Sequence, residues 1–136
     1  MDYMAWQPAL EVGFAKIDED HRELIAALNR LHAAMDQGQD KEELAKVLNF
    51  LRDYTVDHFE TEETLMIKYG YPGAPAHFAA HADLVLKVSD FISDFRAGRA
   101  ALTEALLDFL ETWLVGHIMG WDHELGVYLL ARGAAA

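Results

Sequence analysis

Two short runs limit what this chain can fold into. His58-Phe59-Glu60-Thr61-Glu62 and, after a break, His77-Phe78-Ala79-Ala80-His81 each place two metal-capable side chains four residues apart. Four residues are close to one helical turn, so each pair shares a face and both members can reach one ion. Both pairs sit on apolar stripes of helical period. The first continues Leu44, Val47, Leu48, Leu51, Tyr54 and runs on through Leu65, Met66 and Tyr69; the second leads into Leu84, Val85, Val88, Ile92 and Phe95. A fold that accommodates both must set two helices side by side with polar pairs turned into the core.

The rest of the chain supplies matching helices. Only three prolines and nine glycines interrupt 136 residues, which predicts one all-α domain over 1–136. Residues 1–17 read as an irregular arm: Trp6, Leu10, Val12, Phe14 and Ile17 are spaced to pack onto something else, and Pro8 and Gly13 discourage regular structure. Bundle helices are expected over 18–37, 41–69, 75–97 and 103–119, with a short C-terminal helix over 122–132. Asp18 and Thr103 read as N-caps, Asp40 with Glu43 as a capping box, and Gly38 as a stop. The first helix carries Leu24, Ile25, Leu28, Leu31 and Met35 with His21 on the same stripe; the fourth carries Leu106, Leu110, Trp113, Leu114 and His117. The terminal Gly-Ala-Ala-Ala reads as frayed. Short connections predict an up-down-up-down antiparallel four-helix bundle. In it His21 lies 18 residues before a turn near residue 39 and His58 lies 19 after it, and His81 and His117 each lie 18 from a turn near residue 99. These partners match to within about 2 Å along the bundle axis.

Charge and cysteine content narrow the partners. A formal net charge of -12 repels phosphate backbones and anionic lipid, so neither nucleic acid nor a membrane surface is expected, and a monomer is favoured. The absence of cysteine excludes disulfides, thiolate zinc sites and cysteine-ligated iron–sulfur clusters. The N-terminal residues lack a basic region and an apolar run, and no segment is long enough to span a bilayer; the expected compartment is the cytoplasm.

Five of the seven histidines, at 21, 58, 77, 81 and 117, fall on core-facing positions at one level. Burying five imidazoles separately would need five independent hydrogen-bond solutions, whereas one metal centre satisfies them together. Glu62 argues the same way, because a carboxylate on a core stripe is costly without a cation and no Lys or Arg faces it. Asp122 is a further donor, although five residues from His117 rotate it about 140° on an ideal helix. Its competing role is an N-cap, and Gly120 is the place where a distortion could turn it inward. Glu60 and Glu63 read as solvated, and His32 and His123 as surface or outlying groups. Phe59, Phe78, Trp113, Leu114 and Ile118 would wall the site, with Phe59, Trp113, Leu114 and Ile118 lining its pocket. Seven donors exceed what one ion holds. Mixed imidazole and carboxylate suits iron, with manganese or cobalt as imitators, better than zinc or calcium.

These residues resemble the bacterial members of the hemerythrin family. The matching segments are Ile-Asp-Glu-Asp-His21, His58-Phe-Glu-Thr-Glu62, His77-Phe-Ala-Ala-His81 and His117-Ile-Met-Gly-Trp-Asp122, with Trp6 and the Gly13 to Asp18 run resembling the family's N-terminal arm. The resemblance implies two non-haem irons with a bridging oxo or hydroxo group. One iron would take His77, His81 and His117, the other His21 and His58, and Glu62 and Asp122 would bridge. The five-coordinate iron on His21 and His58 would then hold the open position for O2. The implied function is reversible O2 binding for storage, transport or delivery to an oxygen-consuming enzyme, without catalysis. A di-iron peroxidase or oxidase, and an oxygen or redox sensor acting through a separate partner, are the alternatives. Trp121 and His123 flank Asp122 and set this chain apart from the family pattern.

Overall fold

A computed structural model of the chain describes residues 4–99, 101 and 104–134. Met1, Asp2 and Tyr3, the proposed cap Thr103 and the terminal Ala135 and Ala136 lie outside them. After a turn of 3-10 helix at Pro8–Leu10 come α1 (Ala15–Asp36), α2 (Lys41–Lys68), α3 (Ala74–Arg96) and α4 (Glu104–His117). A π-helical turn, Ile118–Asp122, then leads into α5 (His123–Ala131). No strand occurs among the described residues. The four long helices form the expected four-helix bundle, with α2 packed between α1 and α3.

The ends of the helices follow local chemistry in part. Asp40 caps α2 by accepting from the Glu43 amide at 2.9 Å. Glu43 does not complete the reciprocal box; its carboxylate pairs with Lys46 at 3.0 Å instead. Gly38, at φ +69°, follows the last residues of α1, where its amide and that of Gln39 close onto Met35 and Ala34. The start of α1 differs from expectation. The helix begins at Ala15, one turn before Asp18, and Phe14 occupies the cap position without a side-chain hydrogen bond. Asp18 is buried and accepts from the amides of Val12 at 2.8 Å and Gly13 at 3.1 Å. The arm's two inward-turned amides have no other partner, and they outcompete the helix end for the carboxylate.

The arm is therefore part of the core. Leu10, Val12, Phe14 and Ile17 are buried, and the Arg22 guanidinium lies 4.4 Å over the Trp6 ring. Val12 also runs hard against α5: a Cβ on Gly126 would stand 2.7 Å from the Val12 carbonyl oxygen. In the middle of the bundle Leu28, Leu31, Leu48, Met66, Leu107, Ile118, Leu125 and Leu129 are fully enclosed. Each such side chain contributes about 1.5–3 kcal/mol on burial. Leu107, not Leu106, is the inward residue of α4, so that helix's stripe runs Leu107, Leu110, Leu114, His117.

The short C-terminal helix is present as α5, one residue from the expected start, but it is continuous with α4. The chain passes from α4 through the π turn into α5 without a break, and Asp122 has helical φ and ψ of -75° and -32° with no capping hydrogen bond. Its side chain is thus free for the bundle interior.

Candidate metal centre

Each helix presents its donors at one level of the bundle. α1 contributes His21, α2 His58 and Glu62, α3 His77 and His81, α4 His117 and the π turn Asp122; none is more than 5% exposed. The π turn solves the spacing problem of Asp122. In π geometry the repeat lengthens to i→i+5, so five residues make about one turn and Asp122 returns to the face of His117.

The donor atoms fall into two groups. His77, His81 and His117 converge with Glu62 and Asp122, while His21 and His58 converge with the same two carboxylates. In the first group the Nε2 atoms of His77 and His81 lie 3.2 and 3.1 Å from that of His117, and Asp122 Oδ1 stands 3.0 Å from His77 and 3.1 Å from His117. Glu62 Oε1 lies 3.2 Å from His81 Nε2 and 3.4 Å from His58 Nε2. Asp122 Oδ2 reaches to 2.7 Å from His21 Nε2. The two carboxylates thus each face both nitrogen sets, which is the arrangement of bridging ligands.

Crowding of this kind makes poor hydrogen bonds. Both Glu62 oxygens, Asp122 Oδ2, and the Nε2 atoms of His21 and His58 are buried without a hydrogen-bond partner, despite the short separations. Orphaned polar atoms cost about 1–3 kcal/mol each when buried. Lone pairs converging at about 3 Å, in mixed imidazole and carboxylate sets, suit the coordination shell of a first-row transition ion such as iron. The residues present fit a pair of such ions.

Protonation is prepared for cations. Burial, then the neighbouring imidazoles of His117 and His77, push His81 down to about 2, so its imidazole is neutral as a ligand must be. Burial also lowers His58, against the opposing hydrogen bond to Asp20. Burial, reinforced by the charge of Asp122, raises Glu62 well above the usual carboxylate range. Burial works in the same direction on Asp122, but the imidazoles of His117, His21 and His77 outweigh it and hold that carboxyl well below its ordinary value.

Two acidic residues outside the expected set orient the imidazoles. His58 Nδ1 donates to Asp20 Oδ2 at 2.9 Å, and Asp20, itself buried, also takes Lys16 Nζ at 2.9 Å. His81 Nδ1 donates to Glu63 Oε2 at 2.9 Å, so Glu63 is not simply solvated as the sequence suggested. With the proton fixed on Nδ1, each ring turns its Nε2 lone pair inward. Aromatic rings brace the same histidines: Phe59 stacks on His81 at 3.7 Å, Trp113 on His117 at 4.5 Å, and Trp121 leans against His77 at 5.5 Å. His123 is exposed, and His32 lies at the surface near Asp36 and Glu104.

A cavity of about 40 Å³ borders the His21 and His58 side. His21, His58, His117 and Asp122 form its polar edge; Leu24, Leu28, Leu51, Thr55, Phe59, Leu84, Leu110, Trp113 and Leu114 form the remainder. Phe59, Trp113 and Leu114, named from the sequence, line this cavity. Ile118 is not on this wall; it is fully enclosed among the core residues around the π turn. Phe78, half-buried, also packs on the core outside the cavity. The leucines from α1, α2 and α3 were missed because apolar residues one or two turns from a ligand look the same as any other core positions.

Known proteins carry the same pattern. The profile of the hemerythrin HHE cation binding domain matches residues 12–129. This chain belongs to the hemerythrin family. It is 36% identical over 122 residues to a bacteriohemerythrin of Stenotrophomonas maltophilia (strain R551-3), covering 90% of this chain and 78% of that one. It is 38% identical over 134 residues to the bacteriohemerythrin of Methylococcus capsulatus (strain ATCC 33009 / NCIMB 11132 / Bath), covering 96% and 100%. The crystal structure of a wild-type hemerythrin superposes with a TM-score of 0.88 at 35% identity, covering 93% of this chain and 98% of that one. Among the described residues of this hemerythrin no helix is long and apolar enough to cross a membrane.

Proposed function

We propose that this hemerythrin binds O2 reversibly at a non-haem di-iron centre held by His21, His58, Glu62, His77, His81, His117 and Asp122. The observation that supports it best is the position of the cavity. It takes in both imidazoles of the nitrogen-poor donor set, His21 and His58, whereas of the nitrogen-rich set it reaches His117 but neither His77 nor His81. A ligand arriving there meets the ion with fewer protein nitrogens.

When bound, a ferrous pair supplies the two electrons that hold O2. The chain's own residues do the rest. Asp20 and Glu63 fix imidazole orientation. Phe59, Leu110, Trp113 and Leu114 keep water from the cavity. About 40 Å³ admits a diatomic but falls far below the roughly 300 Å³ of pockets that take organic substrates, which favours a carrier over an oxidase of organic molecules. The hydroxyl of Thr55 donates to the Leu51 carbonyl at 2.6 Å and does not act as an acid toward a guest. We read the acidic, cysteine-free chain as a cytoplasmic monomer serving O2 storage, transport or delivery to an oxygen-consuming enzyme.

The test is anaerobic reconstitution with ferrous iron, metal counting, and visible spectra through an oxygen–vacuum cycle. Two irons per chain and a charge-transfer band that appears with oxygen and vanishes under vacuum are expected. One-way oxidation would overturn the carrier reading in favour of a sensor, and turnover of hydrogen peroxide would overturn it in favour of a peroxidase.

A further inference from the structure

We propose that O2 reaches the cavity through the seam between α2 and α3, past a gate formed by Leu51, Thr55 and Leu84. The choice of guest rests on the oxygen-binding reading above; the route itself rests on three spaces that share walls one with the next. The first is an open groove on the bundle surface lined by Asn49, Arg52, Ser89 and Ser93 among others. Arg52 is shared between that groove and a second, smaller void of about 20 Å³, whose other walls are Leu51, Thr55, Leu84, Val85 and Val88. Leu51, Thr55 and Leu84 are in turn shared between this void and the cavity at the donor cluster. Every step from solvent to the His21 and His58 side thus crosses a wall of side chains only one residue thick.

The chemistry of the seam favours an apolar gas over water. A buried water needs two to four polar partners. The void has two polar residues on its wall, and both are engaged elsewhere. The Thr55 hydroxyl donates to Leu51 at 2.6 Å, and the Arg52 guanidinium is drawn onto Asp53 at 3.0 Å. A void of roughly 10–15 Å³ is enough for one small guest, so a space of about 20 Å³ serves as a stepping place. Leu84 and Leu51 are unbranched at Cβ, so a change of side-chain rotamer, with no movement of the backbone, is enough to open the gate.

Val88 makes the route testable, because it borders the outer void and not the cavity at the donor cluster. Arrival of O2 can be followed without iron. In the apoprotein with W6F and W121F, Trp113 is the sole tryptophan, and it lines the cavity while remaining half-buried; O2 quenches its fluorescence on collision from both sides, while iodide, which cannot enter the cavity, reports only the edge of the ring that faces solvent. Val88→Phe, which plugs the seam, is expected to lower the O2 quenching rate constant by about fivefold, and Val88→Ala to raise it, with iodide quenching unchanged in both. In the iron-loaded protein Val88→Phe slows O2 association by a similar factor and leaves equilibrium affinity alone. Circular dichroism and thermal melts verify that both variants are folded. Parental O2 quenching in both variants overturns the route, as does an increase in iodide quenching that matches the increase for O2 in Val88→Ala. If the quenching shifts as expected but the loaded protein shows no reversible band, the route stands and the oxygen-carrier reading falls.

Discussion

Asp20 and Glu63 do similar work under different conditions, and the difference predicts different costs. Asp20 is buried, takes both His58 and Lys16, and is held below the ordinary carboxylate range by them despite its burial. Asp20→Ala leaves the His58 Nδ1 proton without a partner in a place water does not reach. Iron affinity, read by competition with a chelator, is expected to fall about 10–100-fold. Glu63 is 30% exposed on its side chain, so in Glu63→Ala water can replace the carboxylate and the loss is expected to be smaller. Glu62 gives a second prediction. Burial and the charge of Asp122 raise its carboxyl, so the apoprotein favours the protonated form and iron uptake displaces that proton, tightening as pH rises. Titration calorimetry in buffers of different ionisation heat will show the release, and Glu62→Gln will abolish it. The inward histidines and Glu62 were legible in the sequence because each interrupts an apolar stripe at helical spacing. Asp20 and Glu63 were not. Each is the sequence neighbour of an inward residue and sits off the stripe, and its partner belongs to a different helix.

At the scale of elements, backbone geometry decides which glycines matter. Gly116 and Gly120 lie in the helical rod from α4 to α5 with open space where a Cβ would stand. Gly120 lies inside the π turn that turns Asp122 inward, at the place where the sequence put a distortion. Gly116→Ala is expected to stabilise the protein by about 0.5–1 kcal/mol, because alanine lowers the entropy of the unfolded helix segment and nothing resists its methyl. Gly126→Ala should do the reverse, by about 1–3 kcal/mol, since its Cβ would press on the Val12 carbonyl and lift the arm from α5. Thermal melts of the two variants separate these outcomes. The five-residue gap between His117 and Asp122 signalled an irregular helix in advance, though not its kind. The early start of α1 was hidden because the cap rule sees only a carboxylate before an apolar run, and not the two arm amides that compete for it.

For the whole molecule, the donor cluster sets the response to acid. His58 and His81 refuse protons in the fold that the unfolded chain accepts below about 6.5, so their contribution is lost as pH falls through that value. Glu62 acts oppositely, because the fold keeps a proton that the unfolded chain gives up above 4.5. Between those values two histidines act against one carboxylate, and the apoprotein should lose stability on acidification. Urea titrations from pH 7 to 5 will measure it. Iron raises the melting temperature by binding only the folded chain, and stripping it with a chelator reverses the gain. The bundle as a whole was legible because stripe length and short connections leave little topological choice. The inclusion of the arm in the core was only half legible, its apolar residues being visible but their seat against Gly126 not. The donors come from α1, α2, α3 and the α4 rod, and solvent touches almost none of them. No helix can peel away alone without withdrawing a donor from the cluster, and no chelator could grasp a bound ion while the helices stay together. Iron escape is thus tied to rare openings of the entire bundle, and the half-time of metal loss becomes a clock for the fold's own lifetime.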